Sequence, residues 1–131
     1  MVWVKEGDVA EILFKDLSYA VVGAAMEVHG QLGRGFLESV YHRALAHELA
    51  LRQIPFESKK SLAVLYKGEP AGEYEADMVV DGKIIVELKS VSAIGAAHVA
   101  QARNYLAATG LRLAIIFNIG AESLEYKRVV K

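Results

Sequence analysis

Apolar residues recur at helical spacing from Leu17 through Val21, Ala24, Ala25 and Val28 to Leu32, which predicts a helix capped by Asp16 or Ser18 with Gly33 as its left-handed stop. Arg34 and Gly35 read as a hinge. Leu37, Val40, Tyr41, Ala44, Leu45 and Leu49 then describe a second amphipathic helix that ends ahead of Pro55. Beyond Pro55 the period shortens to that of strands: residues 61–66, a turn at Lys67 and Gly68, residues 73–80, a turn at Asp81 and Gly82, and residues 83–89. An alanine-rich stretch over 96–109, stopped by Gly110, predicts a third helix. Residues 113–119 form an apolar run broken only by Asn118, as in a buried central strand, and residues 124–130 alternate as an edge strand does. The predicted order is ααβββαββ, a single domain over residues 1–131 of the α/β (α+β) class.

The second hairpin sorts its own side chains. Tyr74, Ala76, Met78 and Val80 alternate with Glu73, Glu75 and Asp77, and in the next strand Ile84, Val86 and Leu88 alternate with Glu87 and Lys89. A two-residue turn would pair 80 with 83 and mix the faces. A three-residue loop of Val80, Asp81 and Gly82, with Gly82 left-handed, pairs 79 with 83 and keeps parity. One face is then predicted as continuous core, holding Tyr74, Met78, Ile84, Val86 and Leu88, while Asp77, Glu87 and Lys89 become neighbours on the other. Adjacent carboxylates repel. Two readings of that face are open: a solvated polar surface with a cross-strand ion pair, or an acid cluster compensated by a cation.

Composition narrows the partners. With 53% hydrophobic residues in a chain of 131, there is enough apolar surface to offset ordering entropy, which excludes disorder. The lack of cysteine excludes disulfides, zinc-thiolate sites and thiol nucleophiles. The first eight residues contain no basic region followed by a long apolar run, so no secretory signal is expected. The best candidate for a membrane span, residues 19–28, is interrupted by Glu27 and falls well short of the roughly 20 apolar residues required. A cytoplasmic protein without membrane contact is the expectation. A net charge of −1 gives no global basic field. Nucleic acid must then be met through metal ions or a local patch, for which Lys59, Lys60, Lys67, Arg103 and Arg112 are candidates.

Asp77, followed on the next strand by Glu87-Leu88-Lys89, resembles the D-(D/E)xK core of the PD-(D/E)XK nuclease superfamily, the restriction-endonuclease-like fold. Ala76 stands where the superfamily name has proline, at a position expected to face the core. Gly35-Phe36-Leu37-Glu38-Ser39-Val40-Tyr41 matches the GxxExxY signature of one branch, the GxxExxY protein family. The likeness extends through Glu27-Val28-His29, Leu32-Gly33, Gly72-Glu73-Tyr74, Ala76-Asp77, and Gln101 to Tyr105.

The resemblance implies a central mixed sheet flanked by helices and a magnesium or manganese site for phosphodiester hydrolysis. Its metal ligands would be Glu38, Asp77, Glu87 and the carbonyl of Leu88, with Lys89 orienting water or stabilising the developing phosphorane charge. Gln101 and Tyr105 resemble the QxxxY element that helps place substrate or site, with His98 on the same helical stripe and Tyr41 in support. The implied partner is nucleic acid, DNA ahead of RNA, and a homodimer is compatible with it. Bland readings stand beside these. Glu38 also sits where the macrodipole favours an acid, Glu27 is an alternative helix acid, and His29 suits carbonyl capping better than ligation. The competing function is a non-catalytic member of the fold that binds nucleic acid or protein.

Overall fold

The computed structural model describes residues 13–131, and the reading of the first eight residues as free of a secretory signal lies outside them. The elements are α1 (Lys15–Leu32), α2 (Glu38–Leu51), β1 (Phe56–Tyr66), β2 (Glu69–Val80), β3 (Ile84–Lys89), α3 (Ala96–Thr109), β4 (Leu113–Asn118) and β5 (Glu125–Val130). This is the expected order. The strands form one sheet, β1-β2-β3-β4-β5, in which β3 and β4 run parallel and the other neighbours antiparallel. A parallel pair needs a long crossover, and α3 supplies it. No helix among the described residues is long and apolar enough to cross a membrane.

Both faces of this mixed sheet are buried, which corrects the expectation of one apolar and one polar face. Met78, Val80, Ile84, Val86, Leu88, Leu113, Ile115 and Phe117 pack with Val21, Val28, Tyr41 and Leu45 of α1 and α2. Tyr74, Ala76, Val79, Ile85, Ala114, Ile116 and Val129 pack on the opposite side with Ala102 and Leu106 of α3. Tyr74 and Ala76 are therefore not in the core that holds Met78. The same exchange occurs along β1, where Phe56 meets the α1/α2 core but Leu62 and Val64 meet the α3 core. Both strands change faces at one level: Ser58 pairs with Met78 and Lys60 with Ala76, and between them Lys59 has φ 50°. A left-handed residue in an extended strand twists the chain locally and redirects the side chains beyond it.

Turn chemistry sets the rest. Asp81 (φ 51°) and Gly82 (φ 64°) are both left-handed, and the Lys83 N–H donates to the Val80 carbonyl at 2.9 Å. Val79 consequently pairs with Ile85 and not with Lys83, so parity and the positive φ of Gly82 are as expected while the register lies two residues further along. Helix α1 starts one residue ahead of Asp16, and neither Asp16 nor Ser18 caps it; Ser18 is buried and accepts from Arg128 Nε at 2.8 Å. Gly33 closes the helix with its N–H on the His29 carbonyl, at φ 69° and ψ −166°, a positive-φ extended geometry and not a left-handed helical one. Strand β1 begins immediately after Pro55, because its first half, including the exposed Glu57, Ser58 and Lys59, forms a ladder without an apolar pattern to announce it.

Candidate active site

Strands β2 and β3 pair only from Val80↔Ile84 to Met78↔Val86 and then part. Backbone groups beyond such a fork need other partners. The Leu88 N–H donates to Asp77 Oδ2 at 2.7 Å. His42 Nε2 lies 3.0 Å from the Asp77 carbonyl oxygen, and because a carbonyl only accepts, the ring carries its proton on Nε2. The Tyr74 hydroxyl donates to Glu87 Oε1. Asp77 and Glu87 are thus each tied down where the strands separate.

Glu38, Ser39, His42, Lys59, Asp77 and Leu88 line a pocket of about 100 Å³ on the α2 side of the fork. Glu38 reaches it as the first residue of α2, whose Tyr41, Leu45 and Leu49 anchor the helix in the core. The Tyr41 hydroxyl donates to the Gly33 carbonyl and accepts the Phe36 N–H, which fastens the turn leading into Glu38. Glu38, Asp77 and Leu88 therefore meet in one pocket. Glu87 is not among its lining residues. It follows the parity of Ile85 toward the α3 side, where the Tyr74 ring stacks on Tyr105 with centroids 3.5 Å apart and planes at 13°, which corrects the expectation that Asp77 and Glu87 open onto one shared face.

Among the described residues no three His, Asp or Glu side chains are gathered closely enough to hold a metal ion between them. Magnesium does not demand such a cage, since it is commonly held by one or two carboxylates with waters and substrate phosphate completing its shell. The hard oxygen donors at the fork fit magnesium or manganese, and without thiolates they do not resemble a structural zinc centre.

Burial dominates the electrostatics. It pushes the Glu87 carboxyl up to about 7, aided by the Asp77 charge and opposed by the Tyr74 hydroxyl, Lys89 and the Asp77 N–H. Burial and the same carboxylate push the Tyr74 phenol upward, so Tyr74 remains a donor at neutral pH. Lys89 is half-buried, two residues beyond Glu87 on the same strand face.

The family model of the PD-(D/E)XK nuclease superfamily matches residues 15–129. The chain belongs to this superfamily. No curated protein and no solved structure matches it. Asp77 lies one residue beyond the last β2–β3 pair, and its carboxylate joins β2 to the Glu87-Leu88-Lys89 strand by accepting the Leu88 N–H.

The remaining candidates in this PD-(D/E)XK domain divide by their contacts. His98 Nδ1 accepts the Gly95 N–H at 3.0 Å and so caps α3, while Gln101 is exposed and Tyr105 joins the ring stack. His29 Nε2 donates to the Ala121 carbonyl at 3.1 Å, and exposed Glu27 accepts from Gln31 Nε2 at 3.2 Å. Of the basic residues, Lys59 lines the pocket, Lys60 pairs with Glu57 at 2.8 Å, and Lys67 lies over the Tyr66 ring. His42 and the Tyr74–Glu87 contact escaped the sequence reading. His42 had a signal, one helical turn after Glu38. Tyr74 had none, because strand alternation assigns it to the wrong core.

Proposed function

We propose that this chain is a metal-dependent nuclease of the GxxExxY branch, hydrolysing nucleic-acid phosphodiester bonds, with DNA as the first substrate to try. The observation that carries the reading is the fork itself: Asp77 Oδ2 receives the Leu88 N–H, so the acid of β2 is locked to the Glu87-Leu88-Lys89 strand, and Glu38 opens into the same pocket. Asp77, Glu38, Glu87 and the Leu88 carbonyl are the groups to hold a magnesium or manganese ion. When bound, the ion supplies Lewis acidity and lowers the pKa of a water. Lys89 contributes a point charge that orients the attacking water or offsets charge on the phosphate, and it needs no metal contact to do so.

Calorimetry with manganese should show binding heat that vanishes when Asp77→Asn and Glu87→Gln are combined. With either ion, single-stranded, duplex, flapped and RNA substrates form the cleavage panel. Lys89→Ala should retain metal binding and lose at least about a hundredfold in cutting rate. Metal-loaded protein that cuts none of these substrates, or a Lys89→Ala variant as active as the parent, overturns the nuclease reading. In that event a binding-only member of the fold is the better account. The separation of Glu87 from the pocket lined by Glu38 and Asp77 is the observation that favours this second reading.

A further inference from the structure

Beyond the fork the two strands that carry the signature acids no longer exchange backbone hydrogen bonds, and side chains brace the gap. Asp77 provides one brace by accepting the Leu88 N–H, and Tyr74 provides the other by donating to Glu87. The second brace is unusually well supported. Tyr74 is 8% exposed, its ring is one of the buried side chains of the α3-side core, and Tyr105 lies nearly parallel upon it at 3.5 Å. A phenol on a buried, stacked ring has little freedom to swing away. The carboxylate it holds is therefore restricted in rotation, with one of its two oxygens, Oε1, already taken.

We infer that Tyr74 is a positioning residue for Glu87, its hydroxyl holding Oε1 so that the carboxylate engages a divalent ion through the other oxygen, and that Tyr105 acts on the site through its stack against Tyr74. The inference rests on the proposed metal site and adds to it a residue outside the acid-acid-lysine set. Carboxylates that ligate metals are themselves hydrogen-bonded as a rule, and loss of such a partner typically lowers metal affinity about 10- to 100-fold. Tyr105, on this account, is a brace for a brace. Its own hydroxyl has no part in holding Glu87, whose phenolic donor is Tyr74.

The test is manganese titration of the intact chain by calorimetry, with a near-ultraviolet difference spectrum recorded at each addition. The parent should bind manganese and show a tyrosine perturbation on binding. Tyr74→Phe, which keeps the ring and the stack, should weaken binding by about 10-fold or more and abolish that perturbation, with the folded state verified by thermal melting. Tyr105→Ala should weaken binding similarly, Tyr105→Phe should restore most of it, and the double variant Tyr74→Phe/Tyr105→Ala should lose little more than either single one, because both act through one contact. Parent-like affinity in Tyr74→Phe overturns the inference while leaving the metal site standing. Failure of the parent itself to bind manganese overturns the metal site, and the inference falls with it. Additive losses in the double variant overturn the assignment of Tyr105.

Discussion

At Glu87 the cost of burial exceeds every favourable contact, and the carboxyl is pushed from its ordinary 4.5 up to about 7. Between those values the folded chain keeps a proton that the unfolded chain has released, so Glu87 favours folding less and less as pH rises. Its contribution is complete below about 4.5 and is lost once pH passes about 7. Relative to a solvated carboxyl, the ionised group costs on the order of 3 kcal/mol at pH 8. Glu87→Gln preserves shape and an acceptor for Tyr74 without the charge. It should be more stable than the parent by about 2–3 kcal/mol at pH 8 and differ by less than about 0.5 kcal/mol at pH 4.5, as read by urea denaturation. Equal differences at the two pH values would show that ionisation is not the cause.

At the scale of elements, the decisive event is the exchange of faces in β1 and β2 at Lys59 and Asp77. Lys59 holds φ 50° in the middle of a strand, a conformation that costs roughly 1–2 kcal/mol for a residue with a Cβ and more when the side chain is β-branched. Lys59→Val should therefore destabilise the domain by about 1–2 kcal/mol, whereas Lys59→Gly should be neutral or stabilising by up to about 1 kcal/mol. Thermal denaturation of the pair checks this, and a Val variant as stable as the Gly variant would refute the strain. Even positions pair across the hairpin, as its pattern predicts, because Asp81 and Gly82 announce their turn in sequence. Tyr74 departs from the predicted face because lysine, unlike glycine or asparagine, gives no sign of the left-handed position at Lys59.

The whole molecule is joined beyond the fork by Asn118, which is fully buried at the end of β4. Its Oδ1 accepts the N–H groups of Val91 and Gly120, each at 3.1 Å, and its Nδ2 donates to Glu125 Oε1 at 2.9 Å. That carboxylate also accepts the Ile94 N–H, and these two donors hold its pKa below the usual range. The connection running from Lys89 to α3 is thus pinned to the end of β4 and the start of β5. Asn118→Ala leaves two partly buried N–H groups without their acceptor and should cost about 1–3 kcal/mol in urea denaturation, more than a surface substitution. Gly120 closes the same joint: a Cβ there would lie 2.9 Å from Ser90 Oγ and 3.1 Å from the Val91 nitrogen. Gly120→Ala should destabilise by about 1–3 kcal/mol, and a neutral result would mean that the connection yields freely.

Periodicity alone determined the element order, the parity of the β2–β3 hairpin, and the placing of Asp77 beside the Glu87-Leu88-Lys89 strand, because helical and strand spacing are properties of a few consecutive residues. Tertiary structure decided that both sheet faces are buried, that Tyr74 belongs with α3, and that Glu87 is held by a phenol while Glu38 and Asp77 share a pocket. Those outcomes depend on partners 13 residues apart for Tyr74 and Glu87 and 35 for His42 and Asp77. No local pattern encodes such distances. They arise when desolvated polar groups left over by the ladders and helices must find one another across the packed molecule.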